Sequence, residues 1–405
     1  MLIRKAYKFR LKTDHEIEEK LTQFAGCCRF LWNKALALNL RRLEEKQPLM
    51  WYRELAFWLT FWKRTKEHQF LKQAHSQPLQ QTLKQLERAF KDGFDTKQPL
   101  KRIPKFKKKF SGDTFSYPQG FKFDNRRVYL PKIGWVGFHK SQNIEGTQKN
   151  LTVKREADGW YISVQVELEV PDPKHSSQSC IGIDLGVSRF ATLSTGEYYK
   201  PLHSFRKHET KLAKLQRDLS RKVKYSNNWR KQKRKIAKHY RKIRNCRNDY
   251  IHQITRRISK NHASVFLEDL TIKNMSKSGR GSPEVPGRYV KQKSRLNKSI
   301  LDQGWGIFCN FLRYKLSWLG GVLRFVNPRY TSQKCPKCSY IDSENRPGQS
   351  KFKCLKCDYE SNADLVGALN ILAAGLAAIA CQANPIRGRQ QEPVGNREGV
   401  LSCVV

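Results

Sequence analysis

The apolar residues Ile17, Leu21, Phe24, Cys28, Leu31 and Ala35 recur at alternating spacings of four and three. That is one face of a long helix. Residues 2–11 alternate instead and predict a strand, and Thr13 with Glu16 forms a capping-box pattern between the two. Residues 51–70 have helical period and are crowded with Trp51, Tyr52, Phe57, Trp58, Phe61 and Trp62. Rings at this spacing ordinarily pack in a helical bundle; stacking on exposed bases is the other use open to them. Ser76 and Pro78 open a further helix with Leu79, Leu83, Leu86 and Phe90 on one face, ended by Asp92-Gly93.

From 101 the period shortens. KRIPKFKKKF contains Pro104 and reads as extended. Residues 120–124, 127–131, 134–139, 151–155 and 160–170 read as strands, the last two flanking Asp158-Gly159, a hairpin signal. With 2–11 they form a small β-domain into which the helices are inserted. Residues 171–179, PDPKHSSQS, read as a linker. Residues 181–184 and 190–194 begin a second sheet, and 206–260 is a helical hairpin broken at Ser226-Asn227-Asn228. A buried strand at 263–267 ends in Glu268-Asp269. Residues 276–294 read as a mobile loop, and Ser299 with Asp302 as a capping box opening the helix of Trp305, Phe308, Phe311, Leu312 and Leu316. A strand at 322–326 and a final helix at 362–380 follow, then an aperiodic tail from 382 that is expected to be disordered. There is no internal repeat.

Charge narrows the partners. The chain carries 79 Lys and Arg against 35 Asp and Glu, a formal +44. Such a surface repels itself unless a polyanion neutralises it. Nucleic acid does so by releasing counterions from phosphate. The hairpin 206–260 alone holds 21 Lys and Arg against 3 acids. An anionic membrane is the competing partner, but there is no lipidation signal or uninterrupted apolar run of membrane length. The nearest candidate, 368–380, is broken by Asn370 and Gly375, and MLIRKAYKFRLK lacks the apolar core of a signal peptide. The expectation is an intracellular protein with no membrane partner. Eleven cysteines, an odd total and mostly scattered, argue against a secreted disulfide framework.

Two groups of residues carry chemistry. Cys335, Cys338, Cys354 and Cys357 form two CxxC turns, CPKC and CLKC. Four thiolates in a tetrahedron suit Zn²⁺ in a closed, structural site; a disulfide pair or an iron–sulfur cluster is the alternative. Asp184 ends the apolar run CIGID, Glu268 ends VFLE, and Asp364 opens an apolar helix. Any one alone could be a turn or cap residue. Clustered carboxylates without cations repel, so divalent metals are the natural occupants of a site built from all three. Mg²⁺ binds through a few carboxylates plus phosphate oxygens, and two such ions can hydrolyse a phosphodiester. The residues therefore read as a nuclease needing no covalent nucleophile. His262 and Asp269, which flank these positions in sequence, read as structural.

GIDLG, FLED, the four cysteines and NADLVGALNIL, in this order after a basic β-domain, together with RKAYKFRL and CRFLWN, resemble the TnpB family over nearly the whole chain. TnpB proteins are transposon-encoded RNA-guided DNA endonucleases, similar to type V CRISPR effectors. The resemblance implies an α/β multidomain chain. An RNase H-like (RuvC) nuclease domain, 178–330 and 361–381, would be interrupted by a zinc-ribbon target-nucleic-acid-binding insertion, 331–360. A β-barrel wedge domain, 1–13 and 101–172, would hold an inserted helical recognition lobe, 14–100, and 382–405 would be a disordered tail. Asp184, Glu268 and Asp364 would be the catalytic acids, holding two Mg²⁺, and the cysteines would hold one Zn²⁺. The implied partners are a guide RNA from the transposon end and double-stranded target DNA beside a short flanking motif. The implied setting is the prokaryotic cytoplasm, on the nucleoid when DNA is bound. Many relatives read Asp-Arg-Asp-x-Asn-Ala-Ala-x-Asn around the last acid; here Asn362-Ala363 precedes Asp364 and the arginine is absent. Two further functions fit parts of the sequence. A nuclease-inactive guide-dependent repressor would be expected to have lost an acid, and a basic zinc-ribbon RNA-binding protein would not need three. A transposase would need strand-transfer residues that are not evident.

Overall fold

The computed structural model describes residues 1–109, 112–282 and 284–383. They divide into two units, one up to Val170 and one from Pro171. The first contains β1 (Leu2–Lys12), α1 (His15–Glu44), α2 (Tyr52–Trp62), α3 (Ser76–Phe94), β2 (Thr114–Tyr117), β3 (Lys122–Asp124), β4 (Arg127–Leu130), β5 (Gly134–His139), β6 (Thr147–Glu156) and β7 (Gly159–Glu169). Its antiparallel sheet runs β2-β6-β7-β1-β5-β4-β3. Strand β1 lies inside the sheet, between β5 and β7, although three helices separate it from them in sequence. Alternation puts Tyr7, Phe9 and Leu11 on a buried face with Ile162 and Val164 of β7 and with Leu21, Leu31, Leu83 and Phe90 of the helices. Among the described residues the ladders do not close: β2 and β3 remain edges, so the expected barrel is an open sheet.

Local details differ from the sequence reading. Asp14, not Thr13, caps α1, its carboxylate accepting from the Ile17 N–H at 2.8 Å. Gly159 already pairs with Glu156, so Ala157 and Asp158 make the hairpin turn. The aromatic helix divides its rings: Trp62 packs in the core, while Phe57 at 73% and Phe61 at 53% stay exposed.

The second unit contains β8 (Cys180–Asp184), β9 (Ala191–Leu193), β10 (Tyr198–Tyr199), α4 (Ser204–Ser220), α5 (Asn227–Asn261), β11 (Ser264–Glu268), α6 (Ile272–Met275), α7 (Val290–Gln303), α8 (Trp305–Leu319), β12 (Val322–Val326), β13 (Lys351–Lys353), β14 (Glu360–Asn362) and α9 (Ala363–Ala383). The five-stranded sheet has the order β10-β9-β8-β11-β12. Strands β8, β11 and β12 are parallel, and β9 and β10 antiparallel. Ile181, Ile183, Val265 and Leu267 face Ile254, Ile258, Phe308 and Leu312 of α5 and α8. Gly182 faces α9, where a Cβ would collide with the Ala368 carbonyl and the Leu372 amide. Helices on both faces explain why β8 and β11 read as continuous apolar runs.

Two expectations fail here. Residues 290–294 belong to α7, not to a loop. Ser299 and Asp302 lie inside that helix, and α8 begins after Gly304, whose left-handed φ of +75° ends α7. Asp302 does cap a helix, but through space: it accepts from the Ser204 hydroxyl at 2.8 Å and the Phe205 N–H at 3.0 Å at the start of α4. By length and composition alone, α9 could cross a bilayer, with mean hydropathy 1.8 over Ala363–Ala380. Here Val366, Ala368 and Ile371 are buried in the protein core instead. The tail expected from 382 lies outside the described residues except its first two, which continue α9.

Candidate active site and metal centre

Strands β8 and β11 pair in parallel with Leu267 opposite Ile183. One residue further, Asp184 and Glu268 end neighbouring strands on the same side of the sheet as Gly182 and Phe266, the side covered by α9. The first turn of α9 supplies Asp364. One helical turn on, a Cβ on Gly367 would lie 3.3 Å from the Asp184 carboxyl, so the Asp184 side chain rests against the helix start. The strand ends and the helix start therefore converge.

Electrostatics report the same proximity. Burial first, then the charges of Glu268 and Asp364, push the Asp184 carboxyl up to about 7, with the Arg346 guanidinium opposing. Glu268 is raised by burial, opposed by the Thr331 hydroxyl, which donates to its Oε1, and by Arg346. Arg189 also reaches the site. Its Nε lies 3.9 Å from Asp364 Oδ2, and its Nη1 donates to Asn362 Oδ1 at 3.2 Å. Asn362 Oδ1 also accepts from the Asp364 N–H at 3.1 Å, fixing the helix start. The 3.9 Å pair is loose and does not sequester Asp364.

The four cysteines form the tightest donor cluster among the described residues, with all sulfurs within 4.8 Å of one another. Cys335 and Cys357 sulfurs are 3.6 Å apart, and Cys338 and Cys354 sulfurs 3.5 Å. A disulfide needs about 2 Å; a tetrahedron with Zn–S bonds near 2.3 Å spans about 3.8 Å between sulfurs. The two turns are near copies. Ser339 and Asp358, four residues after the first cysteine of each, have φ of +62° and +52°. Their N–H groups donate back to the Cys335 and Cys354 carbonyls at 2.9 and 3.1 Å. The residues fit a zinc ion, with four sulfur donors and no neighbouring carboxylate needed to complete the set. The acids are more widely spaced than the sulfurs.

The two centres are joined. Asn370 on α9 donates to the Thr331 and Lys334 carbonyls, both at 2.7 Å, holding the start of the cysteine segment to the helix that carries Asp364. Sequence reasoning missed Arg189, Thr331 and Arg346. Their only signal is proximity in the chain, five residues after Asp184 or beside the cysteines. Of the flanking residues, His262 Nδ1 hydrogen-bonds the Ser179 hydroxyl at 2.9 Å, and Asp269 uses its backbone N–H on Val326 at 3.0 Å.

Comparison with known proteins now bears on this geometry. A family model described as "Probable transposase" (OrfB_IS605) matches 163–279, a "Cas12f1-like, TNB domain" model matches 305–371, and a "Helix-turn-helix domain" model matches 1–48. The last segment folds here as a strand and one long helix. A "Putative RNA-guided DNA endonuclease InsQ" from Escherichia coli K12 is 49% identical over 96% of this chain and 97% of its own. A "Putative RNA-guided DNA endonuclease" from Streptomyces pristinaespiralis is 32% identical over 94% and 91%. The chain belongs to the TnpB family. The family's fold extends further: a solved Cas12f1–sgRNA–target DNA complex aligns with TM-score 0.55 and 14% identity, covering 91% of this chain and 98% of that one.

Proposed function

We propose that this protein is an RNA-guided DNA endonuclease whose RuvC-type site is built from Asp184, Glu268 and Asp364. The observation that carries the site is the convergence of three carboxylates on one sheet face, two ending adjacent parallel strands and one opening the covering helix. The strand order, with two antiparallel strands on one side of β8 and two parallel strands on the other, fits an RNase H-like fold. The partners are a guide RNA and a DNA target, as expected of the family and of a +44 chain.

Burial and, after it, the charges of Glu268 and Asp364 raise the proton affinity of Asp184, and a divalent metal would relieve the like-charge part. Two Mg²⁺ bound there would activate water and stabilise the leaving oxygen. Thr331 holds the Glu268 carboxylate in place. Arg346 and Arg189 bring positive charge where the scissile phosphate would lie, the function left open by the missing motif arginine. The cysteine segment, 331–360, is a zinc-ribbon target-binding insertion, with zinc structural. In the first unit, the sheet of 1–13 and 101–172 serves as wedge and the helices of 14–100 as recognition lobe. The protein works in the prokaryotic cytoplasm.

The test is cleavage of a guide-matched plasmid with Mg²⁺ by the parent and by Asp184→Ala. Unchanged binding with cutting abolished is expected. Equal cutting by both would remove Asp184 from the mechanism, and binding without cutting by the parent would leave the repressor.

A further inference from the structure

The basic hairpin and α7 enclose an open cavity of about 950 Å³, walled on a third side by residues 276–280. Its chemistry is two-sided. Phe205 and Leu301 provide an apolar floor, with the Lys298 ammonium over the Phe205 ring 5.0 Å from its centroid, and Leu301 is 56% exposed to the cavity and to solvent. Arg280, Lys291 and Arg295 line it as cations. Among the described residues none of these three has an ion-pair partner. The one acid in the wall, Asp302, is already engaged by Arg247 at 2.8 Å and by the start of α4. Lys298 is likewise taken up by Glu209. The wall is anchored rather than loose. Lys293 Nζ donates to the Met275 carbonyl at 3.0 Å, and Asn297 Nδ2 donates to the Ser276 and Lys277 carbonyls at 3.1 and 3.0 Å. Among the described residues nothing donates to Asn297 Oδ1, a buried acceptor.

Free phosphate would answer the cations but leave the floor and most of the volume unused, since a space of this size takes a ligand of several hundred Å³. A duplex would present phosphates but keep its base faces covered. An unpaired nucleotide presents an anion, an apolar ring face and N–H or O–H donors together. We propose that this cavity seats an unpaired nucleotide of a single strand, phosphate on Arg280 and Arg295, base on Phe205 and Leu301. The inference rests on nucleic acid being the partner but not on the nuclease chemistry.

Single-stranded RNA and DNA share this chemistry, and the test separates them. Full-length protein is irradiated with short oligonucleotides bearing 5-iodouridine or 5-iododeoxyuridine, single-stranded or annealed to a complement, and cross-linked peptides are mapped. Cross-links at Phe205 with single strands and not duplexes are expected, and the RNA and DNA arms identify the occupant. Arg280→Gln/Arg295→Gln, both at exposed positions, is expected to lower the slope of log Kd against log salt by about 1.4, at ~0.7 per single-strand phosphate contact. Phe205→Leu is expected to weaken single-strand binding about tenfold, the lower range for loss of a stacked base. Cross-linking of the unaltered protein stands even if that variant folds poorly. Cross-links at Phe205 with duplexes equal to those with single strands, or none there with either strand, would overturn the proposal. So would an unchanged salt slope. If the protein binds no single strand at all, the partner reading fails as well; binding elsewhere with the cavity empty sinks only this inference.

Discussion

The two centres of the second unit are built in opposite ways. The cysteine centre is local: its four donors come from 23 consecutive residues, Cys335 to Cys357, and two copies of one tight turn aim the sulfurs. The acid centre is non-local, with Asp184, Glu268 and Asp364 on two strands and a helix drawn from 181 residues of chain. Turn geometry aims the first. Sheet register and the approach of α9 aim the second, so its precision depends on packing across the whole unit. A local centre fails by local unfolding, whereas a non-local one can lose function while the fold survives.

The largest effect is expected from Asp364→Asn. Cleavage should fall on the order of a thousandfold or more, given that the metal-borne charge stabilisation is worth several kcal/mol. Metal-free melting temperature should rise, because one of three like charges is gone. A variant that cuts normally would break the contrast. Chelation or Cys354→Ser comes next. Structural zinc in small modules contributes about 10 kcal/mol or more of apparent binding free energy. Limited proteolysis should therefore open 331–362 while the unit up to Val170 keeps its protection. Cleavage should drop too, since Thr331 and Arg346 come from the opened segment. Metal analysis finding no stoichiometric zinc would remove the local centre altogether.

Gly367→Ala separates packing from function more finely. Alanine favours a helix interior by about 1 kcal/mol, so stability should hold. Its Cβ would press on the Asp184 carboxyl at 3.3 Å. Misplacement of a reacting group by even about 1 Å costs up to a hundredfold, so a ten- to hundredfold loss of cleavage is expected. Ser339→Gly probes the turn. Serine sits at φ +62° there, which costs an L-residue about 1 kcal/mol or more. The variant should resist chelator longer and cut DNA as before.

The smallest effect belongs to a residue outside both centres. Lys315 donates to the His252 carbonyl at 2.7 Å and the Thr255 hydroxyl at 2.8 Å, and burial, then Arg256, lowers its ammonium from 10.5 to about 8. A lowered lysine binds fewer protons folded than unfolded between those values, so its contribution makes stability rise with pH from about 8 to 10.5. Lys315→Met should remove that part of the slope in denaturant titrations, with cleavage at neutral pH unchanged. An identical slope in both proteins would show that the ammonium is not buried in solution.

Local patterns carried much of the architecture. The period-four/three stripe from Ile17 to Ala35 became α1, and the continuous apolar runs before Asp184 and Glu268 became strands covered on both faces. The cysteine centre was legible because its ligand spacing is itself the geometry. Asp302 shows where pattern fails: it has the form of a cap for its own segment but caps α4, nearly a hundred residues earlier, because hydrogen bonds form across space. Phe57 and Trp62 belong to one aromatic run, yet only the packing of α2 decides which of them is covered.

Residue order alone determined that this chain would be very basic, carry two CxxC turns and place acids at the ends of apolar elements, because charge, turn chemistry and periodicity are properties of neighbours in sequence. Only the folded arrangement decided that Asp184 and Glu268 stand side by side beneath α9, that Thr331 and Arg346 attend them while Arg189 reaches Asp364, and that Asn370 ties the two segments together. Those facts follow from strand register and close helix–sheet approach, which short-range patterns do not encode.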